Sequence, residues 1–247
     1  MFGCSDAESN YSTDEEQIGN CSGNTYQSII YQGNTGFADE QDFIQEWTVE
    51  NACHTNYRDG TPIPKITDIT DWGNAITGAW CYYDNDPTKG ILYNYYAIIG
   101  RHDNDPNTTN KEFAPEGWHI PSSQEWVRLI NILEDNGYNY NGEPYSNQIG
   151  KAVASTTGWV QAENALSSVG NNQSTNNSSG FNIFPVGYRR TAGPSFQNEG
   201  ITTIFWWTTP EDNGYYLVPF LQNDGPTIFF QSYGQPNFGL SVRFVKD

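Results

Sequence analysis

A protein does chemistry through titratable, nucleophilic or metal-ligating side chains held in the right company, and this chain offers few such groupings. Its three histidines are His54, His102 and His119. His119 lies between Trp118 and Ile120, just ahead of a helix cap, a setting that suits a structural histidine. No serine or cysteine occupies a G-x-S-x-G or comparable context, so no base is on hand to activate a nucleophile. We therefore assign no catalytic residue and read the chain as non-enzymatic. Calcium needs clustered oxygens, and Asp84-Asn85-Asp86 and Asp103-Asn104-Asp105 place carboxylates on alternate residues. Neither run continues to the glycine and distal glutamate of an EF-hand loop. Asx turns are the reading, calcium the alternative, and no other metal or cofactor is expected.

Recognition chemistry is better represented. Between Trp207 and Phe238 the chain carries Glu211, Asn213, Tyr215, Asn223, Asp224, Gln231 and Tyr233. Tyrosine gives rigid amphipathic area at low entropic cost, and small polar residues give adaptable hydrogen bonds, which is the composition of a paratope. Tyr188, Arg189, Asn198 and Trp207 complete the expected contact set. Arg189-Arg190 is an adjacent basic pair in an acidic chain, and Trp206-Trp207 offers flat rings. In a strand two successive rings point to opposite faces, so at least one of them belongs to the core. The expected ligand is a protein or a glycan.

These residues need elements to hold them. Residues 25–31 have strand composition between glycines, and residues 46–50 read as a second short strand. Ser122 and Glu125 form a capping box ahead of Trp126, Leu129, Ile130 and Leu133, one apolar stripe that Gly137 ends. Shorter helices are expected over 147–154 and around 92–98. Beyond residue 155 short aromatic runs alternate with Gly, Pro and Asn, which reads as short strands and long loops. In the last segment Phe238, Leu240, Val242 and Phe244 alternate with Gly239, Ser241, Arg243 and Val245, the pattern of a strand. Residues 1–20 read as a flexible acidic tail and 21–247 as one α+β domain.

Composition narrows the partners. The chain has 247 residues and a net charge of -18, with ten acids and no Lys or Arg in its first fifty residues. Such a surface is repelled by phosphate backbones, so nucleic acid is not an expected partner. No apolar run is long enough for a membrane helix. The four cysteines, Cys4, Cys21, Cys53 and Cys81, form no C-x-x-C pair, which argues against a zinc ribbon. In an oxidising compartment Cys53 and Cys81 are a candidate disulfide closing a loop of ~28 residues, worth about 3–4 kcal/mol in the chain-entropy view. Connectivity stays open at this level.

Met1-Phe2-Gly3-Cys4-Ser5-Asp6 resembles the processing region of a bacterial lipoprotein, which implies lipidation at Cys4 and membrane contact through that anchor alone. A longer series of phrases runs through the chain. Trp47-Thr48-Val49-Glu50-Asn51, Tyr57-Arg58-Asp59-Gly60-Thr61-Pro62-Ile63-Pro64, Gly78-Ala79-Trp80-Cys81-Tyr82-Tyr83-Asp84-Asn85-Asp86 and Gly90-Ile91-Leu92-Tyr93-Asn94-Tyr95-Tyr96-Ala97 come first. Pro115-Glu116-Gly117-Trp118-His119-Ile120-Pro121-Ser122, Gly187-Tyr188-Arg189, Trp206-Trp207-Thr208-Thr209 and Gly239-Leu240-Ser241-Val242-Arg243 follow in order. The series resembles the bacterial major paralogous domain family first named from Fibrobacter. That resemblance implies a C-type-lectin-like fold of the formylglycine-generating-enzyme branch, with paired terminal strands, two to three short helices and long loops. It also implies export to the bacterial cell surface or medium, and a likeness to the variable proteins of diversity-generating retroelements. The family usually has cysteine where Ala114 stands and often where Phe244 stands, so the resemblance leaves Cys81 without its usual partner and Cys53 as the substitute.

Overall fold

A computed structural model describes residues 25–37, 42–144, 146–193, 195–208, 216–233 and 235–247. The expected tail, with Cys4 and Cys21, lies outside the described residues. In chain order the first half holds β1 (Ser28–Gly33), β2 (Phe43–Thr48), α1 (Ile69–Asn74), β3 (Trp80–Tyr82), β4 (Ile91–Tyr93), α2 (Tyr95–Ile98), β5 (Trp118–His119) and α3 (Ser123–Asp135). The second half holds α4 (Gly150–Val153), β6 (Tyr188–Arg189), β7 (Phe196–Gln197), β8 (Thr202–Ile204), β9 (Tyr216–Gln222), β10 (Ile228–Tyr233) and β11 (Val245–Lys246). The architecture is thus mixed, with short helices and several small antiparallel sheets.

Local chemistry explains the helices. Ser122 Oγ accepts from the Glu125 amide while the Glu125 carboxylate accepts from the Ser122 amide at 2.8 Å, so both ends of the capping box are made. Trp126, Leu129, Ile130 and Leu133 are buried along one face of α3, as their spacing requires. Gly137 follows at φ 78°, the left-handed turn that glycine takes cheaply, and Tyr138 donates back to the Leu133 carbonyl. The sequence reading omitted α1, whose cap is Asp68: its carboxylate accepts from the amides of Thr70 and Asp71 at 2.7 and 3.0 Å.

The sheets depend on one segment. β1, β2, β11 and β5 form a four-stranded antiparallel sheet in that order, β8, β9 and β10 a three-stranded one, and β3–β4 and β6–β7 are hairpin-like pairs. The C-terminal strand therefore lies beside β2, with Val245 opposite Trp47, and β1 sits one strand further out. Upstream of β11 the chain crosses from group to group. Gly239 exchanges backbone bonds with Arg189 and Leu240 with Tyr93, Ser241 donates to Ile204 and accepts from Trp206, and the carbonyls of Val242 and Phe244 accept from the amides of Ala52 and Thr48. This explains a departure from the expected alternation. Residues 239–245 are buried on both faces, because protein lies on either side of them.

Two arginines tie these layers together. Arg243 is 1 % exposed and donates to the carbonyls of Thr48, Phe181 and Asn182 and to Asn51 Oδ1. Its guanidinium lies 5.0 Å from the Phe181 ring centre, and burial pulls its pKa below the usual arginine range, to about 9. Arg189 is fully buried and donates to the carbonyls of Ile66, Thr67 and Asp68 and to Ser195 Oγ, with the Trp72 ring 4.4 Å away. Each fork covers several carbonyls in fixed geometry, as only a guanidinium can.

Candidate functional site

Four separate segments converge on a surface pocket of about 260 Å³, lined by Tyr83, Lys89, Gly90, Gly158, Pro185, Val186, Glu199 and Gly200. The first is the loop joining β3 to β4. Tyr83 donates its amide to the Gly90 carbonyl at 3.0 Å, closing the loop base. Asp84 and Asn85 both take left-handed backbone angles, φ 54° and 58°, which short polar side chains tolerate best. Asp86 then accepts from the Thr88 amide and hydroxyl at 2.9 and 2.7 Å. The bond from that amide, then the hydroxyl, hold the Asp86 carboxylate below its usual pKa range. The run weighed as a calcium loop is thus built as turns, as is Asp103-Asn104-Asp105, where Asp103 accepts from the Asp105 amide at 3.0 Å.

The other three segments, at Gly158, Pro185-Val186 and Glu199-Gly200, face it. Gly200 donates to the Pro185 carbonyl at 2.9 Å and accepts from Val160 at 2.7 Å, which fixes the glycine wall against the Pro185-Val186 wall. The Glu199 amide donates to Tyr83 Oη at 3.4 Å. Across the mouth Lys89 Nζ donates to Glu199 Oε2 at 2.8 Å, with the ammonium 5.1 Å above the Tyr83 ring. The Glu199 hydrogen bond raises the Lys89 pKa, so the lysine is charged across the neutral range. The arrangement can bind; no group in it is positioned as a base toward a nucleophile.

The expected contact residues divide. Asn198 is exposed at φ 63° and adjoins Glu199 at the pocket edge. Asn223 is half-buried, its side-chain amide donating to the Val160 carbonyl at 3.2 Å, and the exposed Asp224 follows it. Val160 therefore links Asn223 to the Gly200 wall, whereas the Asp224 carbonyl accepts from the side chains of Asn164 and Ser168. Gln231 is exposed on β10. Glu211, Asn213 and Tyr215 lie outside the described residues; Tyr233 belongs to β10, which pairs Tyr233 with Tyr216. Arg189 and Trp207 need correction. Arg189 is a core residue, held by the carbonyls named above. Trp207 is 3 % exposed and stacked at 5.6 Å on Phe230, and Trp206 beside it is fully buried with its indole donating to the Tyr93 carbonyl. Tyr188 is half-buried with its ring 6.1 Å from Phe238.

The cysteine pairing is corrected too. Cys53 is disulfide-bonded, but Cys81 is a free buried thiol and is not its partner. Cys81 points into a cluster with Trp72, Leu92 and Val186, whereas Cys53 packs beside the cluster that holds Tyr26 and Phe113. Burial pushes the Cys81 pKa up to about 11, which leaves it protonated and unreactive.

Two histidines have opposite settings. His119 bridges Glu125 Oε1 at 2.7 Å and Asp247 Oδ1 at 2.9 Å, and the Glu125 bond above all raises its pKa to about 8. Burial acts to raise the Glu125 pKa, but the bonds from His119 and Ser122 outweigh it and hold that carboxyl low. His54 is buried, with Nδ1 2.9 Å from Tyr26 Oη and the ring stacked at 18° to Phe244, and burial lowers its pKa to about 4.

Sequence reasoning missed Tyr83, Lys89 and Glu199. Lys89 and Glu199 are 110 residues apart, so no local spacing announces the pair; the surrounding glycines and left-handed asparagines are the only local trace. Residues 44–246 match the family described as the Fibrobacter succinogenes major domain. No curated protein and no solved structure matches the chain.

Proposed function

The chain belongs to the Fibrobacter succinogenes major domain family, and we propose that it works as an exported surface protein, lipid-anchored at Cys4, that binds a protein or glycan and catalyses nothing. One observation carries this reading: four separate segments build an open pocket around a solvent-facing Lys89–Glu199 pair, with Asn198 adjoining Glu199 and Asn223 bonded through Val160 to the same wall. A preformed concave site with few polar groups is the usual form of a ligand site. We read the fold as C-type-lectin-like, which the antiparallel pairing of β2 with β11 and the long loops between short strands support. Under the same proposal the β9–β10 hairpin and the residues before it form the rest of the contact face, and a retroelement varies that stretch.

The test is binding of the full chain to isolated cell-envelope protein and polysaccharide fractions. Tyr215→Ala and Tyr233→Ala are expected to weaken capture at least about tenfold with the thermal midpoint unchanged. Variants that melt instead would make those tyrosines structural. A template repeat and a reverse transcriptase gene beside the coding sequence would be required for diversification, and radiolabelled palmitate incorporation lost in Cys4→Ala for the anchor.

A second reading has its own observation. Ile30 and Ile44 are 63 % and 57 % exposed on the outer face of the β1–β2 pair, which suits a self-associating surface or fibre subunit. Sedimentation velocity at millimolar concentration decides this: a monomer that stays a monomer removes it.

A further inference from the structure

We propose that the pocket between Tyr83 and Glu199 holds one neutral sugar ring of a glycan, gripped at two adjacent hydroxyls by Lys89 and Glu199. This rests on the binding reading above and names the ligand class at that site.

The size comes first. A cavity of about 260 Å³ lies just under the roughly 300–1,000 Å³ of sites that enclose drug-sized ligands, so it suits one small ring rather than a folded peptide element. The wall comes next. Gly90, Gly158 and Gly200 present backbone without side chains, and Pro185 and Val186 add apolar surface, which matches the C–H face of a pyranose. The Tyr83 ring is not the stacking platform, because the Lys89 ammonium covers it at 5.1 Å and Phe196 meets it at 5.2 Å. Its role is to position the lysine.

The rim sets the charge preference. The Lys89 and Glu199 side chains are 27 % and 48 % exposed, so both reach water from the mouth. An ammonium has three donors and a carboxylate about four acceptor positions, and their mutual bond uses one of each. A hydroxyl both accepts and donates. Two neighbouring ring hydroxyls therefore satisfy the spare capacity of both groups without adding charge. Lys89 is already neutralised by Glu199, and the chain as a whole carries -18, so an anionic sugar gains nothing here and meets repulsion. An amino sugar would bring its ammonium against Lys89.

The site is also rigid before any ligand arrives. The Tyr83–Gly90, Gly200–Pro185 and Val160–Gly200 backbone bonds fix three walls, and the Asp86 turn fixes the stem of Lys89. Preorganisation of this kind lowers the ordering cost of binding a weakly held, hydrated ligand.

The experiment titrates ¹⁵N-labelled full chain with the methyl glycosides of glucose, galactose, mannose and xylose. Methyl glucuronide and methyl glucosaminide serve as charged controls. At least one neutral glycoside is expected to shift the Gly90, Gly158 and Gly200 amides saturably, and both charged controls to bind at least about tenfold more weakly. Glu199→Gln frees the ammonium and is expected to lose the neutral glycoside about tenfold while gaining the glucuronide. Lys89→Gln frees the carboxylate and is expected to gain the glucosaminide instead. Unchanged amide spectra elsewhere show that both variants fold. The proposal is overturned if the three glycines stay silent, if their shifts do not saturate, or if neither substitution alters the charge preference. A silent pocket overturns the sugar assignment alone, since the tyrosine variants test binding by the chain through residues that do not line the pocket.

Discussion

Arg189 and Lys89 are both cations near the same end of the molecule, and the chain uses them in opposite ways. Arg189, like Arg243, sits in the core with its guanidinium spread over backbone carbonyls and aromatic faces, and every bond it makes is spent on the fold. Lys89 stands at a rim, paired with one carboxylate and open to water, so it has donors left for a visitor. The sequence phrases that carry the family likeness, Gly187-Tyr188-Arg189 and Gly239-Leu240-Ser241-Val242-Arg243, map onto the first kind of site. Two residues of the pocket wall, Tyr83 and Gly90, belong to such phrases as well, but its charged pair, Lys89 and Glu199, belongs to none.

The comparison breaks most severely at the core cations. Arg243→Met removes the donor for the carbonyls of Thr48, Phe181 and Asn182 at once, and we expect a loss of about 3–5 kcal/mol in urea unfolding. A loss under about 1 kcal/mol would mean that the buried guanidinium costs as much as it contributes. Gly187→Ala comes next. Gly187 is at φ 74° and an added Cβ would lie 2.3 Å from the Gln197 carbonyl and 2.8 Å from the Tyr83 ring. We expect roughly 1–3 kcal/mol of destabilisation, with loss of the native shifts of Gly90 and Gly200 as Tyr83 moves.

A smaller effect is pH-dependent and separates the two buried-versus-exposed regimes again. His54 has its folded pKa lowered to about 4, so its stability contribution is full above the unfolded value near 6.5 and falls as pH drops from there toward 4. His119 has its folded pKa raised to about 8, so its contribution is full below 6.5 and is lost as pH rises through 8. Together they place maximal stability near pH 6.5, with the acid side steeper because His119 is the more solvent-screened. Unfolding midpoints of the wild type, His54→Phe and His119→Gln across pH 4–9 check this, and a flat profile would remove both assignments. The smallest effect belongs to the rim: Lys89→Ala with Glu199→Ala is expected to change stability by no more than about 1 kcal/mol, because an exposed pair contributes little.

What was legible in the sequence follows the range of the forces involved. α3 was readable to its caps, because Ser122, Glu125 and Gly137 act within a few residues of the helix they bound. β1 and β2 were readable for the same reason, to within two or three residues. Residues 238–245 alternate apolar with small or polar groups, yet 239–245 are buried on both faces, because the Ser241 backbone and the Arg243 side chain find partners that are remote in the chain. That same remoteness hid Arg189: adjacent arginines read as surface charge until Ile66, Thr67 and Asp68 are known to face one of them. Cys81 misled for a related reason, since proximity along the chain says nothing of which cluster a thiol enters. Lys89 and Glu199 became a pair only through the fold.

The crossing of residues 239–245 through the middle of the molecule also governs how the protein comes into being. Phe244 meets Thr48 across 196 positions, and Arg243 meets the same residue across 195. Contacts this remote are slow to form, since the intervening chain must be gathered in first. During synthesis the clusters around Trp47 and Trp80 emerge long before the strand that joins them, so they wait incomplete. Such a delay postpones consolidation of the fold until the last residues of the crossing segment are in place.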